Sequence, residues 1–434
     1  MRAVVENLEE SRIREVANEG LGRSDVLKFW FGESDEVTPA FIREAAIASL
    51  HAGETFYAHN LGLPELRQAI AVYTHGLHPQ QTTDRWFDRI AVTSGGVNGL
   101  MLASQALVNA GDEVVVVTPV WPNLVAQPQI MGATVKTVPL QVVLRGDRAG
   151  AWALDMVALL AAITPATRLL IVNAPNNPTG WTLSREEQAA ILGHCRHTGT
   201  WVLADEVYER LYYGDDADND LAPGRPKPDQ PSRGAATRAS GGAPDGTGKV
   251  PDAWGPTISA PSFLDVAEPD DRLIVAHSFS KSFLMTGWRL GWLVLPPALT
   301  HAVGKLIEFN TSCAPVFTQR AAVVALQRGA EVTPALVAHL QTCRDTLVPL
   351  LQAVPGVTLA EPKGGMYAFF HLAGHDDCLA TAKRLVREAG LGLAPGSAFG
   401  PEAAGWLRWC FASRDPQRLA QGVDRLRRWL VAQG

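Results

Sequence analysis

Between residues 90 and 205 the sequence alternates short, almost wholly apolar runs with segments of helical length. Residues 113–118, EVVVVT, show no alternation of polar and apolar side chains, which is typical of a strand buried on both faces. Similar runs lie at residues 90–93, 168–173 and 201–205. Strands that alternate with helices predict a mostly parallel α/β sheet covered by helices on both faces, and such sheets bind ligands at the carboxyl ends of their strands.

The helical segments carry their own local signals. Ser184 begins one of them and Glu187 follows three residues later, a spacing that predicts a capping box. The further elements that the pattern predicts are helices over 96–109 and 184–197, a strand over 272–276, a long helical region over 298–354, strands near 366–371 and 407–412, and a last helix from Pro416.

A chain of 434 residues is too long for one small core and predicts two packed domains. We assign residues 51–300 to a large domain built on the parallel sheet, and residues 301–434 to a connecting helix and a smaller α+β domain. Residues 1–50 are expected to contribute to the small domain and to a loop at the substrate. Within the large domain, residues 215–257 are crowded with Pro, Gly, Asp and Ser and nearly lack large apolar side chains before Trp254, which predicts a flexible surface insertion.

Composition narrows the class of protein. Hydrophobic residues make up 47% of the chain and charged residues 19%, a balance typical of globular enzymes, and the net charge of −6 argues against a nucleic-acid partner. No apolar run approaches the roughly 20 residues needed to cross a bilayer, so no membrane association is expected. The first residues do not resemble a secretory signal. Five scattered cysteines without a CxxC pair favour reduced core thiols and a cytoplasmic location.

Lys281 is the strongest candidate for a catalytic nucleophile. It ends residues 278–281, SFSK, beside the apolar side chain of Phe279, and Arg289 follows eight residues later. A lysine that forms an imine must be deprotonated, which burial and nearby cations favour. Ser278 and Arg289 together offer the hydroxyl and the guanidinium that hold a phosphate dianion. A lone lysine is usually a solvated surface residue, but this apolar setting is not that of a solvated face.

Three other segments can be interpreted in the same way, each with a simpler alternative. Asp205 ends an apolar strand, where a carboxylate can pair with a protonated pyridine nitrogen, or can begin a turn or cap a helix. Asn177 lies in residues 173–180, NAPNNPTG, where it can donate to a phenolic oxygen, although turn chemistry alone explains the Pro and Gly. Residues 93–97, TSGGV, can present backbone N–H groups to a phosphate or simply form a tight turn.

The motifs NNPTG, DEVY and SFSK…TGWRLG occur in this order and resemble those of the class I/II aminotransferases, which are fold type I enzymes dependent on pyridoxal 5′-phosphate (PLP). The resemblance runs from about Val26 to the C-terminus, apart from the insertion. It implies a large domain with a mostly parallel central sheet and a smaller α+β domain. It also implies that Lys281 carries PLP as a Schiff base and shuttles a proton, while an amino group moves from an L-amino acid to a 2-oxo acid by a ping-pong mechanism.

The resemblance assigns roles around the cofactor. Asp205 is similar to the residue that pairs with the pyridine nitrogen, and Tyr208 and Asn177 are similar to the donors to the 3′-oxygen. A further set resembles the residues that hold the phosphate and stack on the ring: Gly95, Gly96, Val97, Trp121, Ser278 and Arg289.

On the substrate side, Arg408 resembles the arginine that binds the α-carboxylate, and Gly32 and Asn177 resemble residues that line the substrate. Tyr57 resembles a tyrosine that reaches the phosphate of the neighbouring subunit, which implies a homodimer with active sites at the subunit interface. One departure is visible, because Ser34 stands where relatives often have proline. This difference leaves the local substrate contacts open.

Other functions stay open at this point. Lyases, decarboxylases and oxidases of the same fold use the same residues, and only the orientation of the scissile bond selects the reaction. A regulator built on this fold would need an attached helix-turn-helix, and a nicotinamide dehydrogenase would need a GxGxxG turn after a strand. Residues 29–31, FWF, indicate either a bulky neutral substrate or, more commonly, the core of a strand. No second arginine stands out by motif for a dicarboxylic substrate.

Overall fold

The computed structural model describes residues 1–79, 85–145, 148–214 and 259–433, so the predicted insertion with Trp254 lies outside the described residues. Its helices are α1 Ala3–Glu6, α2 Arg12–Glu19, α3 Ala40–His51, α4 Pro64–Leu77, α5 Trp86–Arg89, α6 Gly96–Leu107, α7 Asn123–Ile130, α8 Met156–Ala162, α9 Arg185–Thr198, α10 Pro297–Glu308, α11 Val316–Gln327, α12 Thr333–Gln352, α13 Cys378–Arg384 and α14 Gln417–Val431. Among these described helices, none combines the length and apolar composition needed to span a membrane.

The strands are β1 Leu27–Lys28, β2 Ile90–Thr93, β3 Glu113–Thr118, β4 Thr134–Pro139, β5 Gln141–Arg145, β6 Arg148–Ala153, β7 Thr167–Asn173, β8 Trp201–Asp205, β9 Leu273–Ser278, β10 Gly291–Val294, β11 Val357–Leu359, β12 Tyr367–Leu372, β13 Leu391–Gly392, β14 Ala394–Pro395 and β15 Trp406–Cys410. Apart from the helical region over 298–354, the predicted strands and helices are found within a few residues of their expected bounds. Ser184 and Glu187 form the predicted capping box of α9.

The central sheet has seven strands in the order β2-β10-β9-β8-β7-β3-β4. Neighbours from β9 to β4 are parallel, which confirms the predicted mostly parallel sheet. Strand β10 runs antiparallel to both β9 and β2, and the sequence pattern did not predict this reversal. The connection over residues 279–290 contains no α-helix that would cross a face of the sheet, so the chain returns in the opposite direction.

The large sheet is buried on both faces. Val115 and Val117 of β3 belong to a cluster on one face, and Val114 and Val116 belong to a cluster on the other. All four are at most 1% exposed, as the unbroken valine run predicts. Since full burial of one such side chain stabilises the fold by about 1.5–3 kcal/mol, this short strand is a major contributor to the core.

A second core surrounds the antiparallel sheet β11-β12-β15-β14. The N-terminal segment joins this core, because Ile13 and Val16 of α2 pack in it and β1 pairs with β13. The helical region expected over 298–354 is divided into three helices, α10, α11 and α12. Pro315 precedes α11, and a proline cannot donate the N–H that would continue a helix from the preceding turn. The domain boundaries near residues 50 and 300 stay predictions.

The parallel register brings the motif segments to one edge of the sheet. Asn173 at the end of β7 pairs with Asp205 at the end of β8, and Asp205 pairs with Ala276 of β9. Lys281 follows β9 after a short turn. The segments with candidate chemistry therefore meet at the carboxyl ends of neighbouring strands, where such sheets bind ligands.

Candidate active site

A cavity of about 490 Å³ lies at this edge, between the large sheet and the small domain. The predicted residues that line it are Gly32, Gly96, Val97, Trp121, Asn177, Asp205, Tyr208, Ser278, Lys281, Arg289 and Arg408. Gly95 lies just behind the lining, against the side chain of Arg289. Tyr57 is 89% exposed and does not line the cavity of its own chain.

The amine of Lys281 lies inside the cavity, where it donates a hydrogen bond of 2.5 Å to the carbonyl oxygen of Gly32. Its Nζ lies 5.6 Å from the centre of the Tyr208 ring. Burial is the main cause that lowers the pKa of Lys281 to about 8, and the guanidinium groups of Arg408 and Arg289 act in the same direction. A substantial fraction of this amine is therefore neutral near physiological pH, as a nucleophile and proton carrier requires.

Asp205 is a buried carboxylate with spare acceptor capacity. It is 2% exposed, and within the described residues its side chain has one long hydrogen bond, 3.4 Å from the N–H of Val207 to Oδ1. Burial raises the pKa of Asp205 to about 7, because the charged form is poorly solvated there. Asn173 anchors the strand end by donating to the Asp205 carbonyl oxygen at 2.9 Å. A protonated ring nitrogen beside this carboxylate would supply the missing partner.

An anion cradle is built where α6 begins. Gly95 has φ of 97°, and a Cβ there would lie 2.6 Å from Nη2 of Arg289, so this position requires glycine. A Cβ at Gly291 would lie 2.9 Å from the backbone nitrogen of Gly96, so this glycine lets β10 approach the start of α6. The helix N-terminus, the Arg289 guanidinium and the Ser278 hydroxyl converge on one place. This donor set fits a phosphate.

Arg408 is 2% exposed although it stands on a strand of the small domain, where an arginine is usually a surface charge. Its guanidinium lies 4.5 Å from the centre of the Tyr367 ring and 4.9 Å from that of Phe399. Nη1 donates to Oδ1 of Asn177 at 2.8 Å, and Nη2 donates to the carbonyl oxygen of Trp30. Its buried Nε has no hydrogen-bond partner among the described residues. A carboxylate in the cavity would satisfy this planar donor group.

The N-terminal segment supplies one wall of the cavity. Phe29 and Trp30 are core residues, each 4% exposed, whereas Phe31 is 37% exposed and lines the cavity. The core interpretation of this aromatic run is therefore right for two residues and wrong for the third. Ser34, the departure from the usual proline, accepts a 3.1 Å hydrogen bond from the N–H of Glu36, which gives this loop a polar constraint of its own.

Sequence reasoning missed several lining residues, among them Arg14 of α2, Glu33 and Tyr367 of β12. Tyr367 had a usable signal, because two glycines precede a strand that begins with an aromatic residue. A Cβ at Gly364 would lie 2.7 Å from Pro175, so this glycine brings β12 against the NNPTG loop. Arg14 had no such signal in the sequence, since an arginine on the exposed face of an amphipathic helix is usually a solvated surface residue.

The chain is similar to known proteins along most of its length. The sequence profile described as aminotransferase class I and II matches residues 24–426. The aspartate aminotransferase of Thermotoga maritima is 30% identical over 406 residues, which are 94% of this chain and 92% of the relative. The arginine–pyruvate transaminase of Pseudomonas aeruginosa is 31% identical, over 88% of this chain and 85% of the relative.

Solved structures show the same architecture. A crystal structure of aspartate aminotransferase from Thermotoga maritima superposes with a TM-score of 0.80 at 28% identity, and the match covers 99% of this chain and 100% of that one. The agreement includes both domains and the mostly parallel sheet of fold type I. The profile match, the relatives and the fold agree, and this chain belongs to the class I and II aminotransferases.

Proposed function

We propose that this aminotransferase binds PLP through Lys281 and uses the surrounding cavity to exchange amino groups between an L-amino acid and a 2-oxo acid. The observation that carries the proposal is the convergence of three ionisable groups on one cavity: the half-buried amine of Lys281 and the buried carboxylate of Asp205 and guanidinium of Arg408. PLP-dependent enzymes are the rule in this family. When bound, PLP supplies a ring that accepts the electron pair left when the substrate loses its α-proton.

The chain's own residues then have separate tasks. Arg408 binds the substrate carboxylate and so orients the α-carbon toward the amine of Lys281. Lys281, with its lowered pKa, takes the α-proton and returns it at a neighbouring atom. Asp205 would hold a proton on the ring nitrogen by its negative charge, and Tyr208 and Asn177, which line the same cavity, would donate to the 3′-oxygen. Phe31 forms part of the cavity wall, and a substrate bound against it would displace water and so strengthen each of these interactions.

Product analysis tests the reaction itself. The purified protein with PLP is incubated with an amino acid and an unrelated 2-oxo acid, and both new products are quantified. Transamination yields the new amino acid and the new oxo acid in equal amounts. A lyase, a decarboxylase or an oxidase would instead release ammonia, carbon dioxide or hydrogen peroxide without aminating the acceptor, and this outcome would reject the proposal.

Arg408→Leu is expected to raise KM for every amino donor while cofactor affinity stays within about twofold. Loss of a charged, paired hydrogen bond in a sheltered site costs about 2–4 kcal/mol, which corresponds to a loss in kcat/KM of about 30- to 1000-fold. Initial rates across a donor series measure the change. Arg384→Leu is the control, because Arg384 is an exposed arginine of the same domain that pairs with Glu388. Equal kinetics in the two variants would show that another cation binds the carboxylate.

We also propose that two copies of the chain form the active unit. Phe56, Tyr57 and Phe309 are each more than 80% exposed. The Asn98 side chain donates to that of Asn310 at 2.9 Å, which places Phe309 beside α6 and hence beside the anion cradle. Large aromatic side chains grouped at the mouth of a site indicate a covered surface. A second copy would cover them and bring Tyr57 to the partner's cavity.

Phe309→Asp is expected to convert the dimer to monomers, because a charge buried in an apolar interface costs several kcal/mol. Light scattering after size-exclusion chromatography measures the mass of each variant. Val157→Asp on α8 is the matched control, since Val157 is 80% exposed but α8 packs against β4 and α9, whereas α10 packs against α6. A Phe309→Asp protein that keeps the mass of the wild type would contradict this interface.

We further propose that the preferred amino donor carries a distal carboxylate. Arg14 lines the cavity beside Phe31, with its guanidinium 5.9 Å from the ring centre, and it forms no ion pair within the described parts of the chain. The other cationic residues of the cavity already have proposed roles: Lys281 binds the cofactor, Arg289 its phosphate, and Arg408 the substrate α-carboxylate. Arg14 is thus available for a second anionic group, in agreement with the aspartate aminotransferases among the relatives.

Arg14→Gln is expected to lower kcat/KM for aspartate and glutamate by about 10- to 100-fold, since a charged hydrogen bond contributes about 1.5–3 kcal/mol. Neutral donors such as alanine should change by less than about twofold, because they leave Arg14 without a partner. Arg12→Gln is the control on the same helix, where Arg12 pairs with Glu9. Equal losses for charged and neutral donors, or a preference for cationic donors opposite Glu33, would contradict the proposal.

A cytoplasmic location is proposed from the thiols. All five cysteines lie in the described parts of the chain and are free, and four of them are buried. Burial raises the pKa of Cys195 to about 12 and that of Cys343 to about 11, so both are poor nucleophiles. Free thiols that serve as small core residues are typical of proteins from reducing compartments.

A further inference from the structure

Two buried tyrosines share a hydrogen bond on the floor of the cavity. The hydroxyl oxygens of Tyr208 and Tyr367 lie 2.6 Å apart, and both side chains are at most 3% exposed. Their rings meet edge to face, with centres 5.7 Å apart and planes at 80°. The two residues are 159 positions apart in sequence, with Tyr208 shortly after β8 and Tyr367 at the start of β12, and they pack in the same core, so this contact forms only in the folded chain.

Tyr367 is held in place on two further sides. Its ring lies against the guanidinium of Arg408 at 4.5 Å, a geometry that favours a cation over an aromatic face. A Cβ at Gly32 would lie 2.1 Å from the Tyr367 hydroxyl oxygen, so the backbone of Gly32 closes the space above it. With Arg408 on one side and Gly32 on another, the Tyr367 hydroxyl has little freedom except toward Tyr208.

The direction of this hydrogen bond matters for Tyr208. A phenol has one proton to donate and can also accept, and either hydroxyl can be the donor in this pair. When an anionic oxygen accepts a hydrogen bond from the Tyr208 hydroxyl, the hydrogen bond between the two tyrosines must run from Tyr367 to Tyr208. Two hydrogen bonds in series polarise each other, so a donation from Tyr367 makes Tyr208 a stronger donor.

We propose that Tyr367 is a positioning residue that strengthens the hydrogen bond from Tyr208 to the 3′-oxygen of the cofactor and, through its ring, holds Arg408 at the substrate carboxylate. The proposal rests on the proposed role of Tyr208. Tyr367 thereby links the cofactor side of the cavity with the substrate side, and its hydroxyl and its ring have separable effects.

Tyr367→Phe tests the hydroxyl alone, because the ring that supports Arg408 remains. In the PLP-loaded enzyme we expect kcat to fall by about 3- to 10-fold and KM for the amino donor to change by less than about twofold, as one polarising hydrogen bond is lost. The pH midpoint of the visible absorbance change of bound cofactor should rise by about 0.5 unit, since its anionic oxygen is then less well stabilised. Tyr367→Leu also removes the ring and should raise KM.

A double-mutant cycle decides whether the effect passes through Tyr208. If it does, Tyr367→Phe added to Tyr208→Phe shifts neither kcat nor the midpoint further. Gly32→Ala is a second variant, whose methyl group displaces the Tyr367 hydroxyl and should raise the midpoint in the same direction. Tyr213→Phe is the control, because that partly buried hydroxyl donates to the carbonyl oxygen of Gly365 instead. Its midpoint should equal that of the wild type.

Two results would overturn parts of this account, and they can be told apart. If Tyr367→Phe leaves the midpoint unchanged, or if its effect adds fully to that of Tyr208→Phe, Tyr367 is a packing residue only. If Tyr208→Phe itself leaves kcat and the midpoint unchanged, the proposed role of Tyr208 fails, whatever Tyr367 does. Thermal unfolding of each variant shows whether a loss reflects the site or the fold.

Discussion

Lys281→Ala is expected to abolish transamination, with turnover falling by at least about 10³- to 10⁴-fold, because one side chain supplies both the nucleophilic amine and the proton transfer. Reduction of the PLP-loaded wild type with borohydride should leave a pyridoxyl group on the peptide that contains Lys281. The variant should carry none. Lys305→Ala is the matched control, since Lys305 is an exposed lysine on α10.

The lowered pKa of Lys281 adds a pH dependence to this prediction. The rate at which the apoprotein captures PLP should rise with pH and level off above about pH 8, where the amine is mostly neutral. For a lysine in water, the capture rate would keep rising with pH up to its ordinary pKa of about 10.4. A pyridoxyl group on another lysine, or a capture rate that still increases above pH 9, would contradict the assignment of Lys281.

Asp205→Ala is expected to reduce turnover by about 10²- to 10⁴-fold and to weaken cofactor binding far less. Removing one member of a buried charge pair strands the other at a cost of about 3–5 kcal/mol, so the ring nitrogen would lose its proton. The ring could then no longer accept the electron pair released at the substrate. Single-turnover rates and a fluorescence titration with PLP measure the two effects separately.

Glu206→Gln is the matched control for Asp205. Glu206 is the next residue and equally buried, but its carboxylate accepts from the Ser262 hydroxyl and from the N–H of Phe263, away from the cavity. Its replacement should affect the free energy of unfolding more than turnover. Near-normal turnover in a folded Asp205→Ala protein would refute the role of Asp205.

The apoprotein offers an independent test of the same carboxylate. The pKa of Asp205 is raised to about 7 in the folded state, above its ordinary value of 3.8. Between these pH values the folded state binds more protons than the unfolded state, so Asp205 makes stability fall as pH rises from about 4 to 7. Asp205→Asn removes this contribution. The variant apoprotein should therefore be more stable than the wild type above pH 7.

The local elements of the fold could be predicted from sequence, because their causes lie within a few neighbouring residues. The valine run of β3 has no polar face, so it had to be buried on both sides. Ser184 and Glu187 start α9 by satisfying each other's backbone N–H groups. Short segments also indicate the candidate site residues. These are the glycines at 95 and 96, the lysine that follows an apolar strand and the acidic residue that ends another. These segments converge because parallel strands end at one edge of a sheet.

Tertiary packing decided everything that depends on contacts between distant segments. No residue in or near β10 indicates that this strand runs antiparallel to its neighbours. Its direction follows from the connection over residues 279–290, which contains no crossover α-helix. Arg14 is an ordinary exposed arginine until the N-terminal segment joins the small domain and turns it into the cavity. Tyr367 is an ordinary core aromatic until the fold brings its hydroxyl to that of Tyr208, 159 residues away in sequence. Local propensity reaches only a few residues along the chain, whereas the cavity is made of side chains whose proximity arises only from the packing of two cores.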